Sequence, residues 1–426
     1  MTLLLIKNGR VIDPASGVDD TLDILIDGVA IAAIGTLIEA PDARVVDASR
    51  LVVAPGFIDM HTHVREPGQE HKEDLRSASL AAARGGFTSI CAMPNTRPVN
   101  DGPEITSLIL AEARKRAVVN VFPIAAITRG LEGRVLAPME ELLKAGAVAF
   151  SDDGRCIQDN RLMLRALERA DRADALVIDH CEDTSLSGDG VMNEGAVSAR
   201  LGLGGIPAAA EDLMVSRDVI LAAAAGARVH IAHVSTAGAV DIVRTARRKG
   251  GRVTAEATPH HLVLSDEALA SGDPNFKVNP PLRGPDDVQA LREAVADGTV
   301  DVLATDHAPH AAAEKAVDFA QAPFGIDGLE TAVSLLLDRL VSRNVISLGR
   351  FIEMMSTAPA RLLGFRNKGR FAAGTDADLT ILNLHQEIVV DVRLFASKSR
   401  NTPFDGWRLR GAPVMTIVGG RVVYPV

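Results

Sequence analysis

Residues 55–68 read Pro55-Gly56-Phe57-Ile58-Asp59-Met60-His61-Thr62-His63-Val64-Arg65-Glu66-Pro67-Gly68, and the fold turns on this stretch. Gly56 to Met60 has the composition of a short buried strand. Successive strand side chains face opposite ways, so His61 and His63 point to the same side. Two imidazoles so placed can grip one ion. Taken alone, His-x-His is equally an ordinary pair of hydrogen-bonded histidines, and the rest of the chain decides between the two readings.

Downstream the texture is strand then helix, repeated. Phe57 to His61, Thr88 to Met93, Val119 to Ala125, Val148 to Ser151, Ala175 to His180, Arg228 to His233, Arg252 to Ala257 and Val300 to Thr305 read as strands. Helical stretches, among them Asp74 to Arg84, Pro103 to Arg116, Pro138 to Lys144 and Ala237 to Lys249, fill the gaps. Eight such units predict a parallel (β/α)8 TIM barrel over residues 55–365. An open doubly wound sheet is the alternative, but no Gly-x-Gly-x-x-Gly follows the first strand.

Both chain ends are different in character. Residues 3–53 alternate short β-branched runs with turns, including the Asp27-Gly28 hairpin signal, and strand-like runs return after residue 368. Unpaired strand edges seek partners. Residues 1–54 and 366–426 are therefore expected to form one small, discontinuous β-sandwich domain, built on an antiparallel sheet.

The composition is that of an ordinary globular protein: 426 residues, 47% hydrophobic and 23% charged. A formal charge of −10 argues against nucleic acid or an anionic membrane surface as partner. The three cysteines, Cys91, Cys156 and Cys181, are too scattered for a disulfide framework and fit reduced thiols in a cytoplasmic protein. Residues 1–10 resemble neither a signal peptide nor an anchor, and the Ala-rich run near 219–227 is shorter than the roughly 18 apolar residues of a membrane span.

On the barrel reading, the strand ends carry His61, His63, Asn95, Asp152-Asp153, His180, His233 and Asp306. Active sites of such barrels lie on that rim. Four imidazoles and two carboxylates supply the nitrogen and oxygen donors that Zn2+ prefers, enough for two ions. Zinc lowers the pKa of bound water from 15.7 to about 7 and polarises carbonyls. Hydrolysis, or its reversal, at an amide-like carbon is the expected reaction, with Asp306 placed to shuttle a proton to a leaving nitrogen.

Other residues read as substrate grips. Arg65 offers a fork for a carboxylate, although an Arg is more often ion-paired at a surface. Asn95 and Asn279 lie in proline-fixed loops, where each taken alone is a turn residue. His310, four residues beyond Asp306, could reach ligand, and Phe324-Gly325 could offer backbone amides to an anion or imide. The intervening loop 311–323 has lid composition and equally that of a plain surface loop. His260, His261 and His307 read as structural.

These segments resemble the amidohydrolase superfamily and, within it, the dihydroorotases of the class I bacterial type. The resemblance runs through residues 57–68, Ala92 to Thr96, Ser151 to Gly154, His180 to Asp183, Ala232 to Thr236, Glu256 to His261, Asn279 to Arg283 and Ala304 to His310. It implies zinc-dependent, reversible cyclisation of N-carbamoyl-L-aspartate to L-dihydroorotate in pyrimidine biosynthesis. His61, His63 and Asp306 would hold one zinc, His180 and His233 a second, with Asp153 bridging. His63, Arg65, Asn95, Asn279, His310, Phe324 and Gly325 would bind substrate; hydroxide on the metals would be the nucleophile, and Asp306 the proton shuttle. Many superfamily members bridge their metals with a carboxylated lysine at the end of strand 4. Here Asp152-Asp153 stands there and Lys144 falls earlier, on a helix; a plain aspartate bridge matches the class I pattern and leaves the metal number open, since such a site could hold one zinc tightly and the second weakly.

Two rivals stand beside this reading. A hydantoinase, dihydropyrimidinase or allantoinase acts on a neutral ring, for which a buried Arg65 would be costly. A catalytically silent subunit that scaffolds aspartate transcarbamoylase would have lost metal ligands, and every ligand is present here. An active homo-oligomer, such as a dimer, and association with that transcarbamoylase are both compatible with the sequence.

Overall fold

The computed structural model describes residues 3–425. The eight barrel strands are Phe57–Thr62, Phe87–Ala92, Asn120–Ala125, Ala149–Phe150, Val177–Asp179, Val229–Ile231, Val253–Ala257 and Val302–Leu303. They pair in sequence order and in parallel, first to eighth. The seam between the eighth and the first closes through a parallel bridge of Thr62 with His307 and a hydrogen bond of 2.8 Å from His63 N to His307 O. Asp59 ties the same seam, accepting from Thr305 N and from His61 N at 3.1 Å each.

Short apolar strands alternate with capped helices, which is why the barrel forms. Asp74 caps the helix Leu75–Arg84 by accepting from Ser77 N, and Pro103 opens Pro103–Arg116 where its missing N–H costs nothing. Met60, Cys91, Ile124, Ala149, Ile178 and Val302, one from each of six strands, share one apolar cluster. Only the barrel lumen brings the first and fifth strands together in this way, so the lumen is filled below the rim. Gly56 is required by close approach, since a Cβ there would lie 2.2 Å from Thr88 Oγ1.

Strands from both chain ends meet in a second sheet. Leu3–Asp13, Val18–Asp27, Ala30–Gly35, Arg44–Asp47 and Val52–Pro55 join Leu379–Val389, Arg408–Val418 and Arg421–Tyr424. The joint is the antiparallel pairing of Val52–Pro55 with Leu379–Val389, in which Val53 faces Ile381. The sheet wraps its own core of Leu4, Ile24, Val53, Leu379, Ile381 and Ile417. It is not wholly antiparallel as the sequence suggested. Arg44–Asp47 and Val52–Pro55 both run parallel to Leu3–Asp13, because the hairpin Val18–Gly35 serves as the crossover that parallel pairing needs. The hairpin turn also sits one residue late, with Asp27 opposite Ala30 and Gly28-Val29 between them. Among the described residues, no helix is long and apolar enough to cross a membrane.

Candidate metal centre

The strand ends bring the expected donors together in two buried trios: His61, His63 and Asp306, and His61, Asp153 and His233. His61 Nε2 lies 3.3 Å from Asp153 Oδ1 and 3.5 Å from Asp306 Oδ1. His63 Nε2 lies 3.4 Å from Asp153 Oδ2 and 3.1 Å from Asp306 Oδ1. Across the cluster, His180 Nδ1 is 3.0 Å from His233 Nε2 and 3.9 Å from Asp153 Oδ1. Asp153 is thus the carboxylate common to all four imidazoles. Its neighbour Asp152 turns away and accepts from Ile127 N and Thr128 N, and burial lifts its pKa to about 7.

Outer partners set which ring nitrogen faces inward. His61 Nδ1 donates to Glu256 Oε1 at 2.7 Å, His63 Nδ1 to Asn95 Oδ1 at 2.9 Å and His180 Nε2 to Glu182 Oε2 at 2.9 Å. Each bond turns the opposite nitrogen to the cluster. Buried His61 Nε2 and Asp153 Oδ1 have no hydrogen-bond partner among the described residues. Orphaned lone pairs of this kind are rare, and a divalent cation satisfies them. The donor set fits zinc. Burial disfavours charge on His61, but Asp153, Glu256 and Asp306 outweigh it and hold its pKa well above the usual range. His180 is carried to about 9, burial opposing, chiefly by Glu182 and Asp153.

Glu256 and Glu182 had no role on the sequence reading. Glu256 is the one charged residue in Val253–Ala257, and Glu182 lies two residues beyond His180; each could have been singled out on that account. Because such partners orient a ligand and raise its basicity, Glu256→Gln should weaken divalent-metal binding by about 10–100-fold. Chelator competition on the folded variant checks this, and unchanged affinity would contradict it.

Three of these strand-end residues are held in the left-handed backbone region: Arg65 at φ 62°, His233 at 30° and Asp306 at 48°. Non-glycine residues there cost on the order of 1–3 kcal/mol each and cluster where function needs them.

All the expected site residues except His61 line one cavity of about 200 Å3 over the cluster. Arg65 is only 9% exposed, and its Nε donates to Pro309 O at 3.1 Å. No carboxylate pairs with it among the described residues, and burial lowers its pKa to about 10. Asn95, held through its oxygen by His63, has no hydrogen bond at Nδ2 among the described residues. Asn279 Nδ2 donates to Glu182 Oε2 at 2.8 Å. His310 Nε2 donates to Phe324 O at 2.8 Å; burial and the neighbouring Arg65 and Lys72 keep its ring neutral, with pKa about 3. In the Phe324-Gly325 pair only one amide is available: Gly325 N donates to Lys277 O at 2.9 Å. His261 holds Pro280 O at 2.9 Å, and His307 sits between Glu73 and Asp327. The loop 311–323 is tied down, with a helical turn at Ala312–Lys315.

Two family models match: "Dihydro-orotase-like" over residues 49–239 and "Amidohydrolase family" over residues 200–424. A dihydroorotase of Pelotomaculum thermopropionicum is 53% identical over 420 residues, covering 99% of this chain and 98% of its own. One from Syntrophus aciditrophicus is 50% identical over 423 residues, 99% of each. The chain belongs to the dihydroorotase family. Among solved structures, an L-hydantoinase (dihydropyrimidinase) from Arthrobacter aurescens superposes with a TM-score of 0.90 at 27% identity, over 99% of this chain and 96% of that one. This chain and that hydantoinase thus share the architecture of a barrel with a β domain. The sequence separates them: identity to the dihydroorotases is close to twice that to the hydantoinase. As a member of the dihydroorotase family, the chain is a cyclic amide hydrolase with a buried His/Asp metal-binding cluster.

Proposed function

We propose that this chain interconverts N-carbamoyl-L-aspartate and L-dihydroorotate, in pyrimidine biosynthesis, as a zinc enzyme. The observation that carries the reading is Arg65, a buried guanidinium whose hydrogen bonds among the described residues go only to neutral groups, facing a cavity that also holds the metal donors. An anionic substrate supplies the missing charge. A neutral hydantoin or dihydropyrimidine ring would leave it unpaired, at a cost of several kcal/mol.

His61, His63 and Asp306 would hold one zinc and His180 with His233 a second, Asp153 bridging, the second ion more weakly. When bound, zinc supplies a hydroxide-level nucleophile at neutral pH and polarises the ring carbonyl. The chain's own residues do the rest. Arg65 and the free Nδ2 of Asn95 take the substrate carboxylate, and His310 packs beside them. Asn279 and the Phe324 N–H face the ring, whose orientation they fix before reaction. In the hydrolytic direction Asp306 takes the nucleophile's proton and passes it to the ring nitrogen as the amide bond breaks; in cyclisation it runs the same transfer backwards. His61 and His63 share Asp306 Oδ1, and Oδ2 carries no hydrogen bond among the described residues, leaving an oxygen for that proton.

Further parts of the reading are a division at 54/55 and 365/366, a cytoplasmic homodimer, and association with aspartate transcarbamoylase. The deciding experiment is turnover of L-dihydroorotate against dihydrouracil and hydantoin on one zinc-loaded preparation with metal counted per chain. Turnover confined to dihydroorotate is expected. Turnover of the neutral rings would move the activity to the hydantoinases, and none at all from a folded, zinc-loaded chain would leave a scaffold.

A further inference from the structure

Two buried lysines grip the loop at the mouth of the cavity, each reaching across to the other's segment. Lys277, 2% exposed, donates from Nζ to Phe319 O at 2.9 Å and Ala320 O at 3.0 Å. Lys315, 7% exposed, donates to Pro274 O at 3.0 Å and Pro323 O at 2.8 Å. Neither pairs with a carboxylate among the described residues. A buried ammonium held only by carbonyls is a costly way to close a loop, and a methionine of similar length would pack there more cheaply. Packing alone therefore does not explain the pair.

What they hold does. Pro323 O belongs to the peptide whose N–H is that of Phe324, the amide left free above the cavity. Lys315 fixes that peptide plane by its oxygen and polarises it, which strengthens the N–H as a donor. Lys277 fixes the next plane, because its own carbonyl accepts from Gly325 N at 2.9 Å while its Nζ lies 4.6 Å from the centre of the Phe324 ring. Gly325 cannot yield this position to another residue: at φ +123° a Cβ would lie 2.7 Å from Ala308 Cβ.

We propose that Lys277 and Lys315 form a reciprocal clasp that positions the Phe324 N–H against the substrate ring. They are positioning residues, touching the loop and not the substrate, and the inference rests on the reading of the cavity as a dihydroorotate site. Lys315→Met should raise KM for L-dihydroorotate, the substrate that carries the ring, by about 10–100-fold, the worth of the charged hydrogen bond to Pro323 O that holds the Phe324 peptide plane. It should leave kcat within about threefold and zinc affinity unchanged. Lys277→Met should act in the same direction, and Lys315→Arg, which keeps a cation and its donors, should recover most of the loss. Chymotrypsin should cut the Met variants after Phe319 and spare the parent. A wild-type KM with no new cleavage in folded Lys315→Met would overturn the clasp, as would parallel losses of kcat and zinc. A parent enzyme that does not turn over dihydroorotate would sink the substrate assignment, while the chymotrypsin comparison would still decide the clasp.

Discussion

Asp306→Asn should lower turnover in both directions by about 10³–10⁴-fold while the chain stays folded. Asparagine keeps the shape of the side chain and tolerates the left-handed backbone at this position better than almost any other residue, so loss of fold does not confuse the result. What it removes is charge and basicity. Asp306 stands within 3.5 Å of both His61 Nε2 and His63 Nε2; burial works against its ionisation, but His61, His63 and His233 keep its pKa below the usual carboxylate range. An amide can neither balance a cation there nor accept and return a proton. Steady-state rates at counted zinc occupancy measure the effect. Activity within tenfold of the parent at full occupancy would mean that the proton travels by another route.

Arg65→Met should move activity and stability in opposite directions. The catalytic efficiency with N-carbamoyl-L-aspartate and with L-dihydroorotate should fall by about 2–5 kcal/mol, the cost of truncating one partner of a buried charge pair, which is roughly 30- to 5,000-fold. The unliganded protein should melt higher, because it no longer buries a guanidinium for which the cost of burial outweighs the pull of the nearby carboxylates. Thermal unfolding without ligand, set beside saturation kinetics, tests both halves. A lower melting temperature would show that the guanidinium stabilises the fold through Pro309, and an unchanged KM would remove the carboxylate grip from the site.

Much of this was legible in the chain because its periodicities are local. Alternation along one strand put His61 and His63 on one side, and the strand-then-helix rhythm located the eight strands and therefore the rim on which Asp153, His180, His233 and Asp306 meet. What escaped depends on register between distant segments. Nothing within Val253–Ala257 says that Glu256 lies beside His61, since the contact joins the seventh strand to the first. The family resemblance alone singles out Asp153 over Asp152; the physical reason, the Ile127-Thr128 turn that Asp152 occupies, is visible only in the fold. The parallel course of Arg44–Asp47 and Val52–Pro55 was hidden because a hairpin usually announces antiparallel neighbours, and here it acts as a crossover. Of the Phe324-Gly325 pair, sequence offered two donors where the fold leaves one, because a carbonyl nearly fifty residues away takes the other.

The strand Val52–Pro55 pairs with Leu379–Val389 across the whole length of the barrel sequence, and during synthesis this becomes a matter of time. Roughly 320 residues separate the partners, so at about 5–20 residues per second the front strands wait some 15–65 s after leaving the ribosome before their neighbour arrives. Through that interval one side of Val52–Pro55 stays an open edge on a nascent chain, of the kind that joins other chains. The barrel can assemble meanwhile, but the β domain cannot close until it has. Whatever shelters that edge must therefore act during elongation, before any finished active site exists.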